Sequence, residues 1–139
     1  METNPGNNYR EKVYRFYEAL AMKNIGTIED LFTNESRLFW GPYEFIGKEA
    51  IVDWALGLFE LFPFMSFKEK NLSINGSEAK HEFMIAFLTS QGRKGWLPCE
   101  AEYVFNNDDI KQLKFKLLHG FLAVSKDEVE RVKPQGSSL

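Results

Sequence analysis

The sequence is poor in cysteine and histidine, and it has no excess of basic residues and no apolar run of membrane length. Cys99 is the only cysteine, so an intrachain disulfide is excluded and a cysteine-based zinc site has too few ligands. The two histidines, His81 and His119, are far apart and show no His-x-x-x-His spacing, so a metal pair would lack a third ligand. No metal and no cofactor is expected. No apolar stretch approaches the ~18 residues of a membrane span, and no charged start leads into an apolar segment. The expectation is a cytoplasmic protein with no membrane contact. There are 17 basic and 20 acidic residues, for a net charge of −3, and the longest Lys/Arg cluster is Arg93-Lys94. Phosphate-backbone binding needs a basic face, so nucleic acid is not an expected partner.

Aromatic residues are plentiful: 13 Phe, 5 Tyr and 3 Trp in 139 residues. A chain of this length forms one domain and buries a core without disulfides. Met1 to Asn7 are polar and contain Pro5 and Gly6. Asn8 and Glu11 then read as an N-cap with a partial capping box, before an apolar face of Val13, Phe16, Tyr17 and Leu20. Thr27 with Asp30 reads as a second cap, and Ile28, Leu31 and Phe32 as a short helix. Arg37–Trp40 and Tyr43–Ile46 read as short strands around Gly41-Pro42. A third helix should run from Lys48 to Phe62, with Ile51, Trp54, Ala55, Leu58 and Phe62 buried and Pro63 ending it.

Beyond Pro63 the period becomes two. Phe64–Ile74 reads as a strand and Asn75-Gly76 as a hairpin turn. His81, Phe83, Ile85 and Phe87 alternate with Glu82, Met84, Ala86 and Leu88. Leu97, Cys99, Ala101, Tyr103 and Phe105 alternate with Pro98, Glu100, Glu102 and Val104. After a turn at Asn106–Asp109, Leu113, Phe115, Leu117 and His119 share a face, and Gly120 marks a bulge. The domain is placed at residues 9–124, with flexible termini at 1–8 and 125–139. The expected fold is α+β, with three N-terminal helices packed on a curved antiparallel sheet.

Tyr14–Leu20 (YRFYEAL), Thr27–Phe32 (TIEDLF), Phe45–Ile51 (FIGKEAI) and the four-strand meander resemble the SnoaL-like (polyketide cyclase-like) family of the nuclear transport factor 2-like superfamily. The resemblance implies a cystatin-like, cone-shaped α+β barrel, a pocket between helices and sheet, and homodimers. The family includes ketosteroid isomerases, polyketide cyclases, epoxide hydrolases and dehydratases. The isomerase's oxyanion tyrosine and general base match Phe16 and Gly41 here, neither of which can do that chemistry. No Arg of the four long strands faces inward, which argues against the epoxide hydrolase arrangement.

The candidate ligand pocket is Phe16, Tyr17, Trp40, Trp54, Leu58, Phe83, Tyr103 and Phe115. A filled aromatic core satisfies the same pattern. His119 is the candidate general acid or base of a cyclase, isomerase or dehydratase, with Tyr17 or Tyr103 as donor. The plainer alternative is a histidine bonded to backbone at a strand end. His81 is expected near the rim, partly exposed. Cys99 is expected to be buried and inert, and Glu100 with Glu102 to form a solvated or dimer-facing pair. Met84, Ala86, Leu88 and Val104 should point outward as a homodimer face. Three functions stay open: a binder of a small apolar molecule, an enzyme using His119, or a dimerisation module with a filled interior.

Overall fold

A computed structural model describes residues 5–117. The elements run α1 (Pro5–Met22), α2 (Ile25–Leu31), β1 (Phe32–Trp40), β2 (Tyr43–Ile46), α3 (Lys48–Leu61), β3 (Phe64–Asn75), β4 (Glu78–Leu88), β5 (Lys94–Asn106) and β6 (Asp109–Leu117). The strands form one six-stranded sheet in the order β2-β1-β6-β5-β4-β3. Its only parallel pairing among these strands is β1 with β6. The three helices bury their apolar stripes on the concave side. The expected α+β architecture of helices on a curved, mostly antiparallel sheet is what the chain forms, with the cone left open rather than closed by hydrogen bonds.

The apolar spacing places each helix. Val13, Phe16, Tyr17 and Leu20 of α1, and Ile51, Trp54, Ala55, Leu58 and Leu61 of α3, are all buried. Three local expectations shift. α1 starts at Pro5, so Asn8 lies within the helix rather than capping it; its amide donates to Asp108 Oδ1 at 3.1 Å. The cap of α2 is Asn24, whose side chain accepts from the Thr27 amide at 3.2 Å, because it sits three residues ahead of that amide. Phe32 is extended and opens β1 instead of closing α2.

β1 is longer than the four residues read from sequence, since Thr33–Ser36 bulges rather than loops. The Ser36 hydroxyl, fully buried, donates to the Ile110 carbonyl of β6 at 2.6 Å and accepts from the Thr33 amide at 2.8 Å. That polar tie lets the register slip between Phe32 and Arg37 while the parallel pairing continues. The β3–β4 turn is Gly76-Ser77, one residue later than expected. Gly76 has φ +63° and Ser77 does not need positive φ, which fits a Gly-first two-residue hairpin.

The sheet has two chemically distinct faces. On the outer face, the register aligns Phe64–Leu88–Lys94, Ser66–Ala86–Trp96 and Lys68–Met84–Pro98 in successive rows. Further along come Glu82, Glu100, Lys116, Lys80 and Glu102. Lys80 pairs with Glu100 at 2.8 Å, and Lys116 with Glu102 at 2.9 Å. The inner face carries His81, Phe83, Ile85, Phe87, Leu97, Cys99, Ala101, Tyr103 and Phe105, all buried.

Candidate functional site

All eight expected pocket residues fall into one buried cluster between α1, α3 and the concave sheet face. Trp54 from α3 is its hub. It stacks on Phe115 of β6 (centroids 5.7 Å) and on Phe16 of α1 (6.4 Å), and meets Trp40 of β1 at 5.8 Å. Phe16 touches Tyr17 edge-on at 5.4 Å, which joins this group to a second one. There Tyr17 contacts Phe83 at 4.8 Å, His81 at 4.9 Å, Phe67 at 5.0 Å and Tyr103 at 6.5 Å. Leu58 lies buried on the α3 side.

The cluster is apolar by area but not by chemistry. Tyr17 Oη, Tyr103 Oη, Trp40 Nε1, Trp54 Nε1 and His81 Nδ1 are all buried without a hydrogen-bond partner. Such atoms are rare in folded proteins, and each call for an explanation. Burial, reinforced by the neighbouring Tyr103, holds the Tyr17 phenol well above its ordinary range. Burial raises Tyr103 likewise. The two hydroxyls are therefore neutral O–H groups near physiological pH. They lie near enough to shift each other's proton affinity, and neither has a partner of good hydrogen-bond geometry.

His81 departs from expectation. It is not a partly exposed rim residue: only 3% of it is exposed, and its Nε2 lies 3.0 Å from Glu69 Oε1. His81 shares the inward phase of Phe83, and the contact lies beside a bulge in β3. Register slips between Glu69 and Asn71, with Lys70 as the extra residue. The buried phase accordingly passes from Met65 to Leu72, odd to even, and Glu69 keeps the inward phase of Met65 and Phe67. Glu69 pairs with Phe83, so His81, two residues along β4, is its diagonal neighbour. Tyr14 of α1 donates to the same carboxylate, at 2.9 Å and 3.2 Å to its two oxygens. Burial lowers the His81 pKa, and the Glu69 charge and hydrogen bond oppose that shift without cancelling it. Sequence reading missed Glu69. Its phase with Met65 and Phe67 was the available signal.

The other candidates separate clearly. His119 lies outside the described residues. Cys99 is buried, and its thiol is pushed up to about 12 by burial alone, so it is held as an inert thiol. Glu100 and Glu102 lie on the outer face, ion-paired with Lys80 and Lys116. Met84, Ala86, Leu88 and Val104 share that outer face. Among the described residues, no three His, Cys, Asp or Glu side chains gather as metal ligands. Nor is any helix there long and apolar enough to cross a membrane. A groove of about 160 Å³ between α1 and α2, lined by Arg15, Glu18, Met22 and Asn24 among others, includes none of the eight expected pocket residues.

No protein-family model matches the chain, and no curated protein does. Solved structures do. A candidate SnoaL-like polyketide cyclase from Jannaschia sp. CCS1 superposes with a TM-score of 0.78 at 15% identity, over 88% of this chain and 93% of that one. An NTF2-like protein from Anabaena variabilis ATCC 29413 gives 0.73 at 16% identity, over 85% and 95%. The chain has the SnoaL-like, nuclear transport factor 2-like fold. An LEH-like epoxide hydrolase from M. tuberculosis shares this fold as well, at TM-score 0.73 and 10% identity over 83% and 86%. At these identities the likeness is one of fold, and the nuclear transport factor 2-like fold carries many chemistries. What this chain does is therefore argued from its own side chains.

Proposed function

We propose that the chain binds a small, largely apolar ligand within the aromatic layer between its helices and sheet. The observation that supports this reading is the set of five unpartnered polar atoms in an otherwise apolar interior. Four of them can donate: the Trp40 and Trp54 ring N–H groups only donate, and the Tyr17 and Tyr103 hydroxyls can donate or accept. A planar or cyclic frame with one or two oxygens would stack on the rings and satisfy several of these atoms at once. A core built only for stability would carry Phe or Leu in place of such groups.

The test is a thermal-shift screen against steroids, polyketide-like aromatics, terpenoids and fatty acids. A ligand at about a hundred times its Kd adds roughly 2.7 kcal/mol of stability, which is readily detected. No shift across the panel refutes the reading and leaves a filled core.

The same proposal includes a homodimer through the outer sheet face in a cytoplasmic setting. Met84 is 38% exposed, and Phe64 and Trp96, which the sequence reading omitted, are 56% and 69% exposed. The register puts them beside Ala86 and Leu88, which makes a contiguous apolar patch bordered by charge. Light scattering at micromolar concentration should report a dimer that Trp96→Glu dissociates. A monomeric parent protein would refute this part.

A further inference from the structure

The Glu69–His81 pair is more than packing requires. The imidazole is clamped between Tyr17 (centroids 4.9 Å) and Phe83 (5.0 Å, nearly parallel). One nitrogen, Nε2, meets the Glu69 carboxylate at 3.0 Å. The carboxylate can only accept, so Nε2 carries the hydrogen and Nδ1 is left with a bare lone pair. Nδ1 is buried and has no partner. A histidine serving only as core would have both nitrogens bonded, or would be replaced by an apolar residue. The carboxylate is itself fixed from the solvent side by Tyr14, toward which Arg10 Nη1 reaches at 3.5 Å. The result is a base oriented by a third group, with its accepting atom buried in the aromatic layer beside the ring of Tyr17, whose own hydroxyl is unpartnered.

We propose that Glu69 and His81 form a proton-transfer dyad, in which His81 Nδ1 takes the acidic O–H proton of a phenol-like ligand seated beside Tyr17. The ligand O–H bond breaks and an Nδ1–H bond forms, while the electron pair stays on the ligand oxygen. Glu69 faces the positive charge now on the imidazolium, and the Tyr17 O–H is available to the ligand oxyanion. Glu69 is a positioning residue in this scheme, since it acts through His81. The inference rests on the reading that a ligand enters the aromatic interior.

Two measurements test it. The first is ligand-free: nitrogen NMR of labelled protein near neutral pH should show His81 as the Nε2–H tautomer with an unprotonated Nδ1. The Nδ1–H tautomer would overturn the dyad. The second uses 4-nitrophenol and nitrobenzene, a pair differing by one hydroxyl. It is run at mildly acidic pH, where free 4-nitrophenol is colourless and its anion is yellow. The titratable groups facing His81 are Glu69 from β3 and Tyr14 and Tyr17 from α1, and burial keeps the Tyr17 phenol neutral there. Bound 4-nitrophenol should turn yellow in the parent protein and stay colourless in His81→Phe, which should still bind nitrobenzene. Glu69→Gln, at a partly exposed position that folding tolerates, should weaken 4-nitrophenol about tenfold relative to nitrobenzene. Colourless binding in the parent, or yellow binding in His81→Phe, overturns the dyad and leaves the binding function standing. Failure of both probes to bind the parent overturns both.

Discussion

Replacing Tyr103 by Phe should stabilise the ligand-free protein, the reverse of what such a change does at a satisfied tyrosine. The Tyr103 side chain is 1% exposed and its hydroxyl has no partner. Keeping a buried hydroxyl unpaired costs about 1–3 kcal/mol, whereas losing a satisfied hydrogen bond costs about 1 kcal/mol. Phe preserves the ring, including its stack on Phe105 at 5.8 Å and 7°. After a small loss of packing around the missing oxygen, the expected gain is about 1 kcal/mol. For a chain of 139 residues that is a rise of roughly 3–5 °C in Tm. Tyr17→Phe should move the same way. The two hydroxyls influence each other, so the double variant decides whether they also bond. With no bond the two gains add; with one, either single change costs stability and the second recovers it. Urea denaturation with unchanged m-value is the assay. A loss above about 1 kcal/mol in either single variant would refute the claim that these hydroxyls are unpartnered.

The remaining predictions address Cys99, Gly47 and His81. Because burial raises the Cys99 thiol to about 12, native protein should react with a thiol reagent only as fast as it opens, and urea should accelerate the reaction steeply. Gly47→Ala should destabilise by about 1–3 kcal/mol by thermal melting, since its φ is +91° and a Cβ would lie 3.1 Å from the Asn34 carbonyl oxygen. His81 has a lowered pKa when folded, so the unfolded chain binds its proton more readily. Its contribution is therefore whole above the ordinary histidine value of ~6.5 and is lost as pH falls through it. The urea midpoint of His81→Phe should decline less between pH 7 and pH 5 than that of the parent, roughly the range in which histidine titrates.

The elements that the sequence disclosed are those whose pattern is local. Ile51, Trp54, Ala55 and Leu58 repeat at the helical period and bury as a stripe. His81 to Phe87 and Leu97 to Phe105 alternate without interruption, and their register follows. The parts not legible depend on distant partners. Thr33–Ser36 is polar and falls outside the strand read at Arg37–Trp40; it becomes strand because Ser36 finds the Ile110 carbonyl in β6, which no local pattern encodes. Trp96 and Phe64 stand at strand ends, where alternation is too short to assign a face. The aromatic cluster was foreseeable from composition and phase, since its eight members sit at inward positions of their elements. The Glu69–His81 contact was not, because it joins diagonal neighbours on two strands, and a charged residue just before the bulge at Lys70 reads locally as solvent-facing although it keeps the inward phase of Met65 and Phe67.

Magnitudes favour a site over a filled core. Five unpartnered buried polar atoms, at about 1 kcal/mol each, come to roughly 5 kcal/mol. A domain of this kind is stable by only about 5–15 kcal/mol in total. A core under selection for packing alone sheds such a load easily, because Phe at 17 and 103 keeps the rings and removes two of the atoms. The same interior satisfies its other polar groups with care. Ser36 bonds twice, Thr89 receives the Arg93 amide at 3.0 Å, and His81 Nε2 has its carboxylate. Polar satisfaction is thus achieved around the aromatic layer and suspended inside it. The Glu69–His81 contact points the same way: a carboxylate meets one nitrogen of a buried histidine and the other is left bare. Under the proposed reading a ligand supplies the missing partners, which hydrophobic packing alone does not provide.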